Sequence, residues 1–382
     1  MACADPTRRQ AMAGMAGAGL FSGPARAAAP AAAVAIARCR DYQPAVLVPA
    51  LARMFDQLGG LERLVKNKTV AIKVNFTGSP TYRLGHRRLE HAHWTHPAVI
   101  AASAHLMSRA GARRIRILES PWSTAEPIEE YLLQAGLEPR DILRAAPRVE
   151  FENTNYLGRA KQYAILAVPG GGYLYDRFFV NHAYTDCDVF VSIPKLKLSP
   201  AAGITIAIKN SFGILPATIY GDGAGRDEPS VLPSGGRTML HTGHRQPAGY
   251  RDKDPKAPPE TGYRIPRVIV DLAAARPIDL TIVDGIEAMT HTGPWIPGAQ
   301  PISPGVLVAG ANCVNVDAVG TALMGCDPMA DRGAFPFEKI DNPLRLAEER
   351  GLGTRDLRRI EVMGASIREA AVSYRQVFES RT

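Results

Sequence analysis

The chain has little cysteine and no closely spaced thiols. Its 382 residues include five cysteines, and none of them forms a CxxC pair. Structural zinc sites and cubane iron–sulfur clusters need closely spaced thiolates, so the sequence indicates neither. Cys187 and Cys313 lie beside or within apolar runs, which predicts buried, unpaired thiols. An oxidising compartment would permit a disulfide, but the spacing assigns none.

The chain also lacks a long apolar run and a concentrated charge of either sign. A membrane-spanning helix needs about 20 consecutive apolar residues, so we expect no integral membrane segment in the mature protein. The formal net charge is +8 at pH 7, yet the basic residues are scattered along the sequence. Proteins that bind nucleic acid gather such an excess on one face, so we expect no nucleic-acid partner. A hydrophobic content of 46% with 21% charged residues is typical of a globular protein.

The first 29 residues resemble a twin-arginine export signal. Arg8-Arg9 precedes a short, weakly apolar Ala/Gly/Met run, and Ala25-Arg26-Ala27 offers a small-x-small cleavage site. Ala11 stands where such signals usually have Phe. We therefore predict export by the twin-arginine machinery to the periplasm or beyond, with residues 30–382 as one α/β domain. The alternative is a disordered Ala-rich tail.

Apolar, β-rich runs alternate with helical patterns along the rest of the chain. This alternation predicts a mostly parallel sheet flanked by helices, and therefore an α/β fold. The predicted strands are Val34–Ala37, Thr69–Phe76, Arg114–Leu118, Val189–Ile193, Leu280–Val283 and Gly305–Val308. The predicted helices are Ala45–Leu58, Pro97–Ala110, Ile128–Ala135, Arg267–Ala275, Asn315–Met324 and Asn342–Arg350.

Two segments interrupt this alternation. Ala164–Val180 has a Gly-rich centre and predicts an inserted β-hairpin; the glycines could instead cradle a phosphate, but no strand-to-helix context follows them. Residues 221–263 show no sustained periodicity and predict a long, irregular, lid-like loop. His241 and His244 lie inside this loop, where we expect lid residues rather than metal ligands.

Polar side chains follow four of the predicted strands at their carboxyl ends, where open α/β sheets bind ligands. In chain order these pairs are Asn75 and Thr77, Glu119 and Ser120, Lys195 and Lys197, and Asp284 and Glu287. Asp317 opens the helix that follows another strand. Several polar strand ends in one chain predict a shared crevice.

Lysines dominate this set, which predicts a small anionic ligand such as a phosphate or a carboxylate. The predicted ligand-binding residues are Lys73, Asn75, Lys195, Lys197, Lys209 and Asn210. A lysine whose pKa is lowered by its neighbours can act as a base or form a Schiff base, so the catalytic candidates are Lys195, Lys209 and Asp284. The alternatives are a solvated basic rim and, for Lys73, a salt bridge to Glu119 or Asp284.

Acidic and histidine residues offer candidates for a divalent metal. Carboxylate oxygens suit Mg²⁺, Mn²⁺ or Ca²⁺, and the candidates are Asp284, Glu287 and Asp317. The two aspartates could instead cap a turn and a helix. A second candidate set is the triplet His91, His93 and His96, although His96 could simply start the helix at Pro97.

Five separated blocks of sequence together resemble a known family. They are KVNFT, GARRIRILES, VFVSIPKLK with TIAIKNSFGILP, DLTIVDGIEAM and NVDAVGTALMGCDP. In this order, from Ala71 to Gly364, they resemble the uncharacterised prokaryotic family called domain of unknown function 362. The chain departs from the family after the first strand, where the usual Lys-Pro-Asn is Lys73-Val74-Asn75. The resemblance implies an α/β fold and marks as motif positions Lys73, Asn75, Lys195, Lys197, Lys209, Asn210, Asp284 and Asp317. Some members carry a ferredoxin-like iron–sulfur module, whose CxxCxxC cysteines are missing here, so we expect no iron–sulfur cluster.

The sequence leaves three functions open. The leading hypothesis is an exported enzyme or enzyme-like protein, associated with redox metabolism, that binds a small anionic substrate or cofactor in the strand-end crevice. The second is a non-catalytic ligand-binding or maturation factor that serves a partner. The third is a scaffold, which predicts that the lysines pair with carboxylates and leave no pocket. A polar lid and lysines with shifted pKa values would favour the enzyme.

Overall fold

One large β-sheet organises the protein. The computed structural model describes residues 31–121, 126–224, 236–243 and 252–379. The strands of these residues are β1 (Ala31–Arg38), β2 (Thr69–Lys73), β3 (Arg114–Glu119), β4 (Val149–Asn153), β5 (Ala164–Ala167), β6 (Arg177–Val180), β7 (Val189–Ser192), β8 (Lys197–Ser199), β9 (Gly203–Thr205), β10 (Leu280–Gly285), β11 (Ala288–Met289), β12 (Pro301–Ile302), β13 (Val306–Gly310) and β14 (Ile360–Gly364).

Helices connect most of these strands. The α-helices of the described residues are α1 (Pro44–Gln57), α2 (Glu62–Val65), α3 (Pro97–Arg109), α4 (Ile128–Gln134), α5 (Pro139–Leu143), α6 (Ala207–Asn210), α7 (Ala217–Tyr220), α8 (Thr238–Thr242), α9 (Thr261–Ala275), α10 (Cys313–Leu323), α11 (Pro343–Glu349), α12 (Ile367–Ala370) and α13 (Tyr374–Glu379). None of these helices has both the length and the apolar character needed to cross a bilayer.

Eight of the described strands form the central sheet, in the order β14-β1-β13-β10-β7-β2-β3-β4. Adjacent strands from β10 to β4 run parallel, as do β14 and β1, whereas β13 runs antiparallel to both of its neighbours. The predicted mostly parallel α/β sheet is therefore confirmed. Because β7, β2 and β3 are parallel neighbours, their carboxyl ends meet at one edge of the sheet.

Alternate residues of the interior strands face two separate hydrophobic cores, as the pleat of a strand requires. On β2, Val70 and Ile72 join the core that contains α1 and α3. Ala71 joins the core on the other face, which contains α9 and α10. The interior strands are therefore covered by helices on both sides, which explains why their sequences are continuously apolar.

The predicted hairpin is confirmed, and the predicted long loop is more ordered than its sequence indicates. Strands β5 and β6 pair antiparallel across the Gly-rich turn. Within residues 221–263, the structure has the short helix α8 and the first residues of α9. We predicted that α9 begins at Arg267, but it begins at Thr261 and accommodates Pro266 in its interior. Residues 1–30, 122–125, 225–235 and 244–251 lie outside the described part, and so do the predicted signal segment and His244.

Candidate functional site

A pocket of about 300 Å³ lies at the carboxyl ends of β2, β3 and β7. One side of this pocket is built by strand-end residues that the sequence singles out: Lys73, Asn75, Thr77, Glu119, Ser120 and Lys197. The opposite side comes from later parts of the chain: Lys209, Phe212, Arg237, His241 and Trp295. The parallel order of the strands thus gathers side chains that are far apart in sequence.

The chain after β7 returns to the pocket through a small hairpin. Strand β8 pairs antiparallel with β9, so Lys197 lies opposite Thr205, and both line the pocket. Helix α6 begins two residues later and carries Lys209 and Asn210 to the wall. This connection brings the Lys-Asn pair back beside the end of β2, where the Asn210 amide nitrogen donates to Ser192 Oγ at 2.9 Å.

Lys73 is paired with a carboxylate. Its Nζ lies 2.7 Å from Glu119 Oε1, and both side chains are buried. The same nitrogen donates to the Val74 carbonyl oxygen at 2.5 Å and to Asn210 Oδ1 at 3.3 Å. Gly213 permits this pair, because a Cβ at that position would lie 2.6 Å from Nζ. The salt-bridge alternative for Lys73 is therefore the one found, although the pair also lines the pocket.

Lys197 is fully buried and has no carboxylate partner among the described residues. Its Nζ donates to Asn75 Oδ1 at 2.8 Å, to the His93 carbonyl oxygen at 2.7 Å and to the Thr292 carbonyl oxygen at 3.2 Å. Burial, followed by the charge of the neighbouring Lys195, holds the pKa of Lys197 well below its ordinary value. Its Nζ is already committed to three oxygen acceptors, so it offers the pocket no free donor.

Lys209 is half-buried in the pocket wall, and no hydrogen bond or ion pair reaches its Nζ from the described residues. Its nearest specific contact is the Phe212 ring, whose centroid lies 4.2 Å from Nζ. Burial is the main cause that lowers the pKa of Lys209 to about 7, with the charges of Arg237 and Lys73 acting in the same direction. Lys209 is therefore poised to exchange protons near neutral pH.

Arg237 supplies a further cation without a carboxylate partner in the described part of the chain. Its Nε donates to the Leu215 carbonyl oxygen at 3.1 Å, and Nη2 donates to the same oxygen at 2.8 Å and to the Ser120 carbonyl oxygen at 3.0 Å. The described residues offer no partner for Nη1. Burial lowers the pKa of this guanidinium to about 10, so it stays charged at neutral pH.

The pocket is therefore strongly positive. The charged residues that line it are four cations and a single carboxylate, Glu119. His241 adds no charge at neutral pH, because burial and the Lys209 cation lower its pKa to about 3. Excess positive charge in a concave, partly desolvated site attracts and holds anions.

Lys195 and Asp284 form a separate, fully buried ion pair and are not among the residues that line the pocket. Lys195 Nζ lies 2.8 Å from Asp284 Oδ2 and donates to the Glu90 carbonyl oxygen at 2.8 Å. The Tyr42 hydroxyl donates to Asp284 Oδ1 at 3.0 Å. The structure thus divides the predicted site into the pocket and this neighbouring network.

The predicted carboxylate metal ligands are not brought together. Glu287 pairs with His91 and Arg87, while Asp317 accepts hydrogen bonds from the Ala207 and Ile208 amides at 2.8 and 2.9 Å. Burial raises the pKa of Asp317 to about 7. No cluster of three or more His, Cys, Asp or Glu suited to a metal occurs in the described residues.

The histidine triplet does not form such a cluster either. His96 Nδ1 accepts from the Ala98 amide at 3.1 Å and caps α3, as the alternative interpretation predicts. His93 is fully buried, and no described group hydrogen-bonds to either of its ring nitrogens. Burial and the charges of Lys197 and Lys195 hold its pKa well below the ordinary value. His93 is therefore neutral at neutral pH.

Sequence reasoning found Lys209 on the far side of the pocket but missed Phe212, Arg237 and Trp295. Arg237 lies in a segment without periodicity, and Phe212 and Trp295 look like ordinary apolar residues in the sequence. Their placement depends on contacts between distant segments, such as the bonds from Arg237 to Leu215 and Ser120. The sequence signal for Arg237 was its position in a long insertion close to a strand-end site, since such insertions often cover ligands.

The known proteins that this chain resembles include one curated relative and, among several distant solved structures, the two that follow. The thylakoid-associated protein sll1697 of Synechocystis sp. (strain ATCC 27184 / PCC 6803 / Kazusa) is 26% identical over 302 residues, which cover 77% of this chain and 75% of that protein. A protein from Thermotoga maritima matches with a TM-score of 0.31 at 13% identity, over 64% of this chain and 51% of that chain. The lactate racemase apoprotein from Thermoanaerobacterium thermosaccharolyticum matches with a TM-score of 0.36 at 13% identity, over 66% of this chain and 50% of that chain. The chain thus spans about half the length of each solved chain.

The family comparison covers the pocket itself. Residues 70–322 match the family described as a domain of unknown function, DUF362. This stretch contains β2, β3 and β7, helix α6 and every residue that lines the pocket. The chain belongs to the DUF362 family.

Proposed function

We propose that the protein is an enzyme that binds a small organic anion in the pocket at the ends of β2, β3 and β7. One observation carries the proposal: Lys197, Lys209 and Arg237 line a single pocket and have no carboxylate partner among the described residues. Lys73 is neutralised by Glu119. An anionic ligand would supply the charge that the three unpaired cations lack.

The electrostatic attraction between a pocket cation and a bound anion is large. A unit charge about 4 Å from an opposite charge gains about 4 kcal/mol at an effective dielectric constant of roughly 20. Desolvation of the ligand and of the pocket opposes this gain. Here the cations are already buried, so most of their own desolvation cost is part of folding rather than of binding. The protein therefore presents a preorganised anion site.

Catalysis is a better explanation of the lysines than passive binding. A binding site needs only cations that stay charged, which Arg237 does. Lys209 instead has a pKa of about 7, so its protonated and neutral forms are both populated at neutral pH. Groups poised in this way are concentrated at catalytic sites. A pure scaffold would pair its lysines with carboxylates, as Lys195 is paired, and would leave no pocket.

We also propose that this chemistry takes place outside the cytoplasm, in association with redox metabolism. The support for export is the arginine pair and cleavage pattern in residues 1–29. The support for a redox association is limited to the family resemblance.

The test is anion binding by wild-type protein and matched variants. Isothermal titration and thermal unfolding would be measured with 4-methylpentanoate, succinate and inorganic phosphate. Arg237→Gln and Lys209→Met each remove one pocket cation, whereas Lys161→Met removes an exposed lysine far from the pocket lining. A bound anion at roughly 100 times its Kd stabilises the fold by about 2.7 kcal/mol.

We expect at least one anion to bind to wild type and to Lys161→Met with the same Kd. Binding should weaken at least tenfold in Arg237→Gln and should decline with added salt. The proposal is wrong if none of the three anions binds, or if the pocket variants bind as wild type does.

A further inference from the structure

The cations of the pocket differ in how many hydrogen-bond donors they still offer. Lys73 Nζ contacts three oxygen acceptors, and so does Lys197 Nζ. An ammonium group has three N–H groups, so both lysines are saturated. Lys209 has no hydrogen-bond partner in the described part of the chain, and its Nζ opens onto the pocket beside Phe212. Among the described lysines of the pocket, Lys209 alone can bond to a ligand without giving up a contact.

The surroundings of Lys209 favour a neutral, nucleophilic amine. Burial removes its Nζ from water, and the nearby charges of Arg237 and Lys73 are both positive. Desolvation and neighbouring cations are the two devices that activate lysines which attack carbonyl groups. His241 lines the same pocket, packs edge-on against Phe212 and is neutral at neutral pH. It therefore does not compete with Lys209 as a cation.

The remaining donors suit a carboxylate better than a phosphate. In the described residues, Arg237 keeps only Nη1 without a partner. Thr205, which lines the pocket and is 4% exposed, has a hydroxyl with no hydrogen-bond partner. A phosphate presents three strong acceptor oxygens, whereas a carboxylate presents two. One guanidinium nitrogen and one hydroxyl can donate to the two acceptor oxygens of a carboxylate, but not to the three of a phosphate.

Part of the pocket wall is apolar. Phe76, Trp295 and Ile296 line it together with Phe212. A ligand that fills the pocket therefore carries an apolar group as well as its charge. These features together describe a compact acid with a hydrophobic side chain.

We propose, on the basis of the anion-binding function above, that Lys209 forms a Schiff base with a 2-oxo carboxylic acid bearing an apolar side chain. Arg237 Nη1 and the Thr205 hydroxyl would hold the carboxylate, and the apolar wall would hold the side chain. The 2-oxo carbonyl carbon would then lie next to Lys209 Nζ.

The step balances without an oxidant or a reductant. The neutral Lys209 amine attacks the carbonyl carbon, a C–N bond forms, and the π electrons of the carbonyl move to its oxygen. That oxygen takes up two protons, one from the attacking nitrogen and one from solvent, and leaves as water. The nitrogen keeps one hydrogen, so the product is a protonated imine. This imine is a cation conjugated to the carboxylate, which makes it an electron sink for proton removal or loss of carbon dioxide.

The test is reductive trapping. Full-length protein would be incubated with 4-methyl-2-oxopentanoate, treated with sodium borohydride and analysed by intact-mass and peptide mass spectrometry. Imine formation followed by reduction adds the mass of the oxo acid less one oxygen atom. We expect one such adduct per chain, located on Lys209 and absent from Lys209→Met. Lys161→Met should be labelled as wild type is.

A matched acid without the carbonyl group separates this inference from the proposed function. 4-Methylpentanoate should bind, should reduce the trapping of the oxo acid, and should itself add no mass. If both acids bind but no adduct forms on Lys209, the Schiff base is excluded and the anion-binding function stands. If adducts form equally in Lys209→Met, the reaction is surface labelling and the inference is wrong. If neither the oxo acid nor 4-methylpentanoate binds, the Schiff-base inference is wrong. The anion-binding function is then tested by the binding of phosphate and succinate.

Discussion

The lysines near the strand-end pocket behave differently because their partners differ. Lys195 lies 2.8 Å from Asp284, and Lys73 lies 2.7 Å from Glu119. A carboxylate at this distance compensates the cost of burying an ammonium group. Lys209 has only an aromatic ring as a close specific contact in the described part. Its charge is therefore less stabilised than that of Lys73 or Lys195, and its neutral form is more accessible than theirs.

The reactivity of Lys209 should follow a pKa of about 7. Burial and the positive charges of Lys73 and Arg237 lower this pKa, so the fraction of neutral amine rises as the pH rises through about 7 and then levels off. Competitive labelling with acetic anhydride between pH 5 and pH 11 would measure this fraction by peptide mass spectrometry. The groups that face Lys209 from other elements include His241, which stays neutral throughout this range.

Lys161 is the internal control for that experiment, because it is exposed. A freely solvated lysine titrates at about 10.4, about three pH units above the pKa of Lys209. Labelling of both lysines along the same curve would contradict the proposed environment of Lys209. A bound carboxylate should move the Lys209 curve to higher pH, because a nearby anion stabilises the ammonium form.

At the scale of elements, the position of Lys209 depends on the contact between α6 and α10. Helix α6 spans only Ala207–Asn210, too short to be stable alone. Asp317 on α10 accepts hydrogen bonds from the first two amides of α6. These N–H groups have no partner within the helix, as is usual for a first turn. Asp317 is thus a positioning residue for the helix that carries Lys209.

Asp317→Ala should destabilise the protein and disorder the pocket wall. It leaves two buried amides without an acceptor, and each costs about 1–3 kcal/mol. We expect a loss of about 2–6 kcal/mol in the free energy of unfolding, measured by urea denaturation. Asp317→Asn keeps one acceptor oxygen and should lose less. Unchanged stability in Asp317→Ala would contradict this role.

The interior elements could be predicted from the sequence, and the edge elements could not. Strands β2 and β7 are almost continuously apolar because both of their faces are covered, so pattern alone identifies them. Strands β4 and β14 lie at the two edges of the sheet, where charged residues interrupt the pattern. Neither was predicted.

The same limit applies to the site. The sequence predicts that Lys195 and Lys197, which follow the same strand, lie in one crevice. Lys195 instead bridges to Asp284 of β10, while Lys197 starts β8, which leaves the central sheet and pairs with β9. The strand-end pattern thus singles out Lys73, Asn75 and Lys197, which line one pocket. The pairing of β8 with β9 and the position of Arg237 depend instead on contacts between distant segments.

At the scale of the whole molecule, the order of strands in the sheet explains where the positively charged pocket lies. Strands β7, β2 and β3 are consecutive and parallel, so three polar carboxyl ends meet. Beyond β10 the sheet turns antiparallel at β13, so its carboxyl end points to the opposite edge. The pocket is consequently lined by side chains from the parallel half of the sheet. Asp317, on the helix after β13, stabilises the pocket wall through its hydrogen bonds to α6.

The proposed export of the protein depends on the arginine pair Arg8-Arg9. Arg8-Arg9→Lys-Lys keeps the positive charge but removes the paired guanidinium groups that define a twin-arginine signal. In a bacterial host with that machinery, wild type should appear in the periplasmic fraction, with cleavage after Ala27 detected by mass spectrometry of its N-terminus. The Lys-Lys variant should stay cytoplasmic and uncleaved. Arg358-Arg359→Lys-Lys is the matched control, since Arg358 is exposed, and should be exported normally. Equal export of both variants, or retention of wild type in the cytoplasm, would refute the signal, leaving the pocket to act inside the cell.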